Sequence, residues 1–234
     1  MIGELDTRHS RRGMLKAAVA LGSVMALQGC TRGTRVASVP FAPLPPAPDM
    51  AFAKPELPPV YATPPGVRRE LFERAIAALD SHKGRVLRRD RIAIADFALG
   101  SSQPRFHLVD LNTLNARTLL VAHGSGSDPA HTGYLQHFSN EEGSNASSDG
   151  AFVTADYYVG KHGRSQRLIG LDASNNRAFE RAIVVHGAWY ANADMLTTHG
   201  KLGRSQGCFA VGEGALETVF SGLGEGRMIY AAKV

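Results

Sequence analysis

Residues 181–187 read RAIVVHG and residues 204–211 read RSQGCFAV. Both are short apolar runs, rich in β-branched or aromatic residues and bounded by glycine, which is the composition of a strand rather than a helix. The first run ends in His186-Gly187 and the second opens at Cys208, so two strand ends are able to bring an imidazole and a thiol together. A thiolate is the useful nucleophile, and a cysteine of ordinary acidity becomes one at neutral pH when an imidazole takes or shares its proton. Gly207 admits close approach of the backbone, and the N–H groups of Gly207 and Cys208 then offer an oxyanion hole. On these residues alone a buried core cysteine is the competing reading.

The same strand pattern recurs on either side. Ile92 to Phe97, Phe106 to Leu111, Thr118 to His123, Ala151 to Thr154 and Arg227 to Ala232 read as strands, with a turn at Asn112 to Asn115. Val67 to His82 sets Leu71, Phe72, Ala75, Ile76 and Leu79 at helical spacing, and Ala215 to Leu223 reads as a short late helix. Long polar loops such as Gly124 to Ser148 separate the apolar runs. The expected fold is mainly β with peripheral helices, a sandwich or open barrel whose loops frame a site. Residues 66–234 are the expected domain, long enough to bury a core without disulfide staples.

Composition supports a globular chain: 44% of the 234 residues are hydrophobic and 20% charged, which excludes wholesale disorder. Ten of the twelve prolines fall between Pro40 and Pro65, so residues 30–65 read as an extended tether. At about 3.1 Å per residue it reaches on the order of 100 Å. Residues 10–16, SRRGMLK, precede an apolar run from Ala17 to Leu27. That run is about 16 Å long as a helix, too short to span a bilayer. It resembles a twin-arginine export signal over residues 1–29, read by the twin-arginine machinery. Leu27-Gln28-Gly29-Cys30 resembles a bacterial lipobox in which Cys30 receives the lipid and anchors the chain to a membrane. Thr31 rather than aspartate after it favours, by resemblance to other lipoproteins, the periplasmic face of an outer membrane. The net charge of +5 falls to 22 basic against 19 acidic residues once residues 1–29 are set aside, with no basic stripe, so no nucleic-acid partner is expected.

If Cys30 is lipidated, Cys208 is a lone thiol in an oxidising compartment; a Cys30–Cys208 disulfide is the alternative. The histidine at 186 followed at a distance by Ser205-x-Gly207-Cys208 resembles the signature of the YkuD-type murein L,D-transpeptidases. Upstream, His123-Gly124-Ser125-Gly126, Phe138-Ser139-Asn140 with Ser147-Ser148, and Tyr158 to Leu168 resemble the branch of that family whose catalytic segment reads Gly-Arg-Ser-x-Gly-Cys. The resemblance covers roughly Phe106 to Tyr230. It implies a YkuD-like catalytic domain acting on peptidoglycan stem peptides, with Cys208 as nucleophile, His186 as base and the Gly187 carbonyl orienting the imidazole. It implies no cofactor. The activity expected is transpeptidation to a 3→3 cross-link, with a carboxypeptidase or other wall hydrolase using the same site, and a catalytically silent wall-binding lipoprotein, as alternatives.

Two positions depart from the general family pattern: Gln206 stands where a histidine is usual, and Ala210 where a basic or amide residue is usual. Substrate anchoring is what these departures put in question. Arg204, whose planar fork suits a carboxylate, and Ser205 are candidates, together with Tyr158, Lys161, His162, Arg167, Trp189 and Tyr190 as groove residues. Solvated or structural roles are the alternative for each. His123, His162 and His199 lie beside glycines without metal-ligand helix spacing, so no metal is expected.

Overall fold

Helix α1 (Arg69–Ser81) turns Leu71, Phe72, Ala75 and Leu79 inward, as its 3.6-residue period requires. Each fully buried Leu or Phe of this kind stabilises by about 1.5–3 kcal/mol. The computed structural model describes residues 62–234; the expected signal segment, Cys30 and the tether up to residue 61 lie outside the described residues. Eight strands follow in one mixed sheet: β1 (Arg91–Asp96), β2 (Phe106–Asp110), β3 (Ala116–Leu119), β4 (Gly150–Gly160), β5 (Gly163–Gly170), β6 (Val184–Gly187), β7 (Phe209–Val211) and β8 (Met228–Ala232). Two further helices, α2 (Asp194–His199) and α3 (Leu216–Leu223), lie between β6 and β7 and between β7 and β8 in the chain. The fold is mostly β with a few helices, as the strand-rich sequence leads one to expect.

Spatial order is β3-β2-β1-β8-β4-β5-β6-β7, with β1–β8 and β6–β7 parallel and every other pair antiparallel. The two-residue period of β1 splits its side chains between two cores. Ile92 and Ile94 join α1, Val109 and Met228, while Ala93 and Ala95 join Phe97, Phe106, Phe152, Phe209 and α3. The sheet also curls until its edges approach. Ala122, just past β3, donates its N–H to the Ala210 carbonyl of β7 at 2.8 Å and forms an antiparallel bridge there, while Gly124 bridges Ser205. This is the open-barrel geometry, and it seats residues 122–124 against the segment that carries Cys208.

Phe209 is the hub of the inner core. Its ring stacks on Phe97 and Phe106, each at 6.2 Å between centroids, and meets Phe152 edge-on at 5.4 Å. The residue after the candidate nucleophile is therefore fixed by aromatic packing. Phe209→Ala is expected to cost about 3–5 kcal/mol, read by urea unfolding; a loss under about 1 kcal/mol, as at exposed positions, would contradict that role.

Four elements differ from expectation, the first being the strand read from Arg181, which begins only at Val184 because Ala182, at φ +54, stands in the turn before it. The strand expected at Thr118 to His123 is β3 at Ala116–Leu119, and the following residues leave the β2 pairing for the seam with Ala210. Strand β4 runs on to Gly160 and pairs with β5 in a long hairpin, where only Ala151 to Thr154 showed a strand pattern. The register slips between Thr154 and Tyr157, and this bulge breaks the two-residue alternation by which a strand is read. Helix α2 has no buried residue, so no apolar stripe announces it.

Candidate active site

Strand β6 carries His186 at its third position, between β5, where Ser165 is its partner, and β7, where Ala210 is. The side chain is buried, and its Nδ1 lies 2.9 Å from the Gly187 carbonyl oxygen. Because a carbonyl only accepts, Nδ1 carries the proton and Nε2 is left with a lone pair. Burial pushes the His186 pKa down, opposed by the Gly187 hydrogen bond and reinforced by His162 and Lys161, so the neutral imidazole persists to lower pH than usual. A neutral imidazole with a free Nε2 is a base.

Cys208 sits one residue before β7, 9% exposed. Its Sγ–H donates to the Ala182 carbonyl at 3.6 Å. Burial pushes the thiol pKa up, while the Val184 N–H, Lys161 and Arg181 pull the other way. Burial thus favours the neutral form of both the thiol and the imidazole.

The turn that presents the thiol is held from within. Ser205 Oγ donates to the Cys208 carbonyl at 2.7 Å and accepts the Gly207 N–H at 3.2 Å. The Ser205 hydroxyl is therefore committed to the turn, and the Gly207 N–H, expected in an oxyanion hole, is directed at that hydroxyl here. Gly207 has φ +107, and a Cβ there would lie 2.7 Å from the Ala146 carbonyl oxygen, so the position admits only glycine.

Behind the turn, Ser205 N donates to the His123 carbonyl at 2.9 Å and Ser125 N to the Ser205 carbonyl at 2.8 Å. The fully buried Arg105 guanidinium donates to Val121 O at 2.9 Å, to Leu99 O at 2.7 Å and to His123 Nδ1 at 2.8 Å. An acceptor Nδ1 requires the proton on Nε2, which faces Asp128 Oδ2 at 3.4 Å. Burial and the Arg105 charge hold the His123 pKa at about 4, and burial holds that of Arg105 at about 9. Between the ordinary 6.5 and about 4 the unfolded chain binds a proton that the folded one refuses. His123 therefore contributes stability that is full above 6.5 and lost as pH falls toward 4, by roughly 3 kcal/mol. Urea unfolding across that window is expected to show the loss, and His123→Gln to flatten it; equal pH dependence in both proteins would exclude His123 as its source.

A cavity of about 510 Å³ opens in front of Cys208 and His186. Tyr158, Lys161, His162, Tyr190, Arg204 and Ser205 are among the residues that line it. His162, at the tip of the β4–β5 hairpin, stacks on His186 with ring centroids 4.4 Å apart. Burial pushes the Tyr190 phenol up to about 12. Arg204 points its guanidinium to the Asp128 and Pro129 carbonyls, the latter at 3.1 Å. Arg167 does not reach the cavity: its guanidinium lies 4.1 Å from the centre of the Tyr158 ring and pairs with Asp156. Trp189, 66% exposed, projects to solvent with its edge on Tyr190. Gly187 and Gly207 are not among the residues that line the cavity. His199 closes α2, away from the cavity lining. Ala210 is fully buried beside Ala122, Ala188, Ala191 and Leu202, which leaves no room for a longer side chain.

The sequence reading missed Arg181 and Ala182, which line the cavity with Glu142 and Glu180. Their place next to β6 is visible in RAIVVHG, but nothing local shows that they face the thiol.

Residues 64–232 match the model of the L,D-transpeptidase catalytic domain. No curated protein matches the chain. Among solved structures it is similar to an L,D-transpeptidase from Mycobacterium tuberculosis H37Rv, at 12% identity over 62% of this chain and 58% of that one, TM-score 0.40. It is also similar to L,D-transpeptidase 3 from Mycobacterium tuberculosis in complex with a faropenem-derived adduct, at 12% identity over 62% and 60%, TM-score 0.40. An L,D-transpeptidase from Mycobacterium smegmatis is similar at 12% identity over 61% and 58%, TM-score 0.38. The chain spans about three fifths of the length of these structures.

Proposed function

Since this chain belongs to the L,D-transpeptidase catalytic domain family, we propose that it is a cysteine-dependent peptidoglycan L,D-transpeptidase that forms 3→3 cross-links. The observation that carries the reading is that a buried thiol and a neutral imidazole, two register positions apart along the parallel strands β6 and β7, line one cavity, the imidazole held by the Gly187 carbonyl. His186 Nε2 takes the Cys208 proton as Sγ attacks the carbonyl between the third stem residue and its terminal D-alanine. The tetrahedral oxyanion collapses to a thioester, and the imidazolium gives its proton to the departing amine of D-alanine. An amine of a neighbouring stem, deprotonated by the same imidazole, then attacks the thioester, forms the new amide and restores the thiol. The Cys208 N–H is the main oxyanion donor in this reading, because the Gly207 N–H is turned to Ser205. Lys161 and Tyr158 on the cavity wall are the candidates for contact with the stem peptide, and Arg204, which also lines the cavity, is turned to the Asp128 and Pro129 carbonyls.

Purified tetrapeptide muropeptides incubated with the protein test this. Mass spectrometry is expected to show cross-linked dimers and free D-alanine. Tripeptide alone would replace the reading by an L,D-carboxypeptidase, and unchanged substrate by a silent wall-binding protein. The paired Arg11 and Arg12 and the lipobox-like Leu27 to Cys30 support placement in the periplasm on a lipid anchor, reached by twin-arginine export. Metabolic palmitate labelling that persists in Cys30→Ala would overturn the anchor.

A further inference from the structure

Arg181 stands three residues before β6, where the cavity floor meets the loop of residues 139–148. Its guanidinium is held by that loop: Nη1 donates to the Ser139 carbonyl and to Ser148 Oγ, both at 2.7 Å. Nη2 donates to the Ala146 carbonyl at 2.6 Å and to Ser144 Oγ at 3.3 Å. All four acceptors are neutral, and among the described residues no carboxylate forms an ion pair with Arg181. A guanidinium bound by dipoles has no ion-pair partner to cancel its charge; Arg177 and Glu141 are the charged side chains that act on it from nearby, with opposite signs.

That charge is next to the nucleophile. A Cβ on Gly207, the residue before Cys208, would lie 3.3 Å from Arg181 Nη2 and 2.7 Å from the Ala146 carbonyl that Nη2 holds. The following residue, Ala182, has φ +54, uncommon for a residue with a side chain, and its carbonyl is the one that accepts the Cys208 Sγ–H. One dipeptide thus meets the thiol by its backbone and sets a fixed cation beside Gly207, the residue before it.

We propose that Arg181 is a positioning residue for Cys208: it pins the 139–148 loop against Gly207 and supplies the fixed positive charge against which the thiolate forms. The proposal rests on the reading of Cys208 as nucleophile. The other groups facing the thiol are placed differently. Lys161 and His162 come from the exposed hairpin tip, Arg204 is turned to backbone carbonyls, and His186 and Tyr190 are uncharged near neutral pH. Glu142 and Glu180, which also line the cavity, act against thiolate formation. Burial raises the thiol pKa, and two side-chain cations oppose it, Lys161 first and then Arg181; Lys161 stands at an exposed hairpin tip, where solvent and salt screen its charge.

The test is the rate at which iodoacetamide alkylates Cys208 in the intact protein, followed by mass from neutral to alkaline pH. Arg181→Met is expected to move the midpoint up by about one unit, which reads as about tenfold slower alkylation at a pH below the midpoint. Arg181→Lys keeps the charge and is expected to stay within about threefold of the wild type. Lys161→Met is expected to change the rate less than Arg181→Met. A folded Arg181→Met with the wild-type rate would overturn the proposal, as would a larger loss in Lys161→Met. If Arg181→Met does not fold, Arg181→Lys decides: a tenfold loss there would show that retained charge is not sufficient and would also overturn it. Alkylation needs no wall substrate, so failure of the transpeptidase reading shows only in the muropeptide assay and failure of this one only in the alkylation rate.

Discussion

Cys208→Ala and Cys208→Ser are both expected to abolish turnover, by on the order of 10⁴-fold or more, while leaving the fold intact. Alanine removes the atom that attacks. Serine keeps its shape but presents a hydroxyl so much less acidic than a thiol that one neutral imidazole, hydrogen-bonded to a carbonyl rather than a carboxylate, does not activate it. The thiol donates one weak hydrogen bond, to the Ala182 carbonyl, and the core anchor next to it is Phe209, so neither substitution removes packing on which the fold depends. Muropeptide turnover, checked beside a thermal melt, decides. An alanine variant with wild-type turnover would eliminate the thioester route.

His186→Ala is expected to lower turnover by a factor of about 10² to 10⁴, the contribution of a positioned base, whereas His199→Ala is expected to change it little. The difference follows from position. His186 is buried at the end of β6 with its Nδ1 proton on Gly187 and its Nε2 open, and His199 closes an exposed helix turn. The low pKa of His186, caused mainly by burial, adds a pH criterion: the base is lost only when pH falls below the usual imidazole range, so the acid limb of the rate profile should lie under 6.5. Turnover measured on both variants and across acid pH checks this. A reversal of the two histidines would move the base elsewhere.

Legibility in the sequence followed the range of the interaction. The strand pattern of Ile92 to Phe97 and the helical stripe of Leu71, Phe72, Ala75 and Leu79 are local periodicities, and they matched elements of the structure. The β4–β5 hairpin did not announce itself beyond Thr154, because the bulge at residues 155–156 shifts the phase and because Ser165 and Gln166, polar residues, occupy buried positions. Gln166 is tolerated there by its Nε2 bonds to the Ala155 and Gly224 carbonyls, partners that no local pattern reveals. Arg167 and Trp189, expected in the groove, lie outside the lining of the Cys208 cavity: the first stacks on Tyr158 and lines a neighbouring cavity, and the second is exposed, directions that sequence proximity does not reveal.

By itself the sequence determined a mainly β domain and a thiol and a histidine at two strand ends, because backbone geometry and the period of apolar residues are set by neighbours a few positions apart. The tertiary structure alone decided that β6 and β7 are parallel neighbours, that the sheet edges meet at Ala122 and Ala210, and that Arg181 reaches Gly207 and the 139–148 loop. These contacts join residues from 24 to 88 positions apart, such as His186 with Ala210 or Ala122 with Ala210. Their partners are selected by burial and hydrogen-bond satisfaction over the whole core, which no short window of sequence contains.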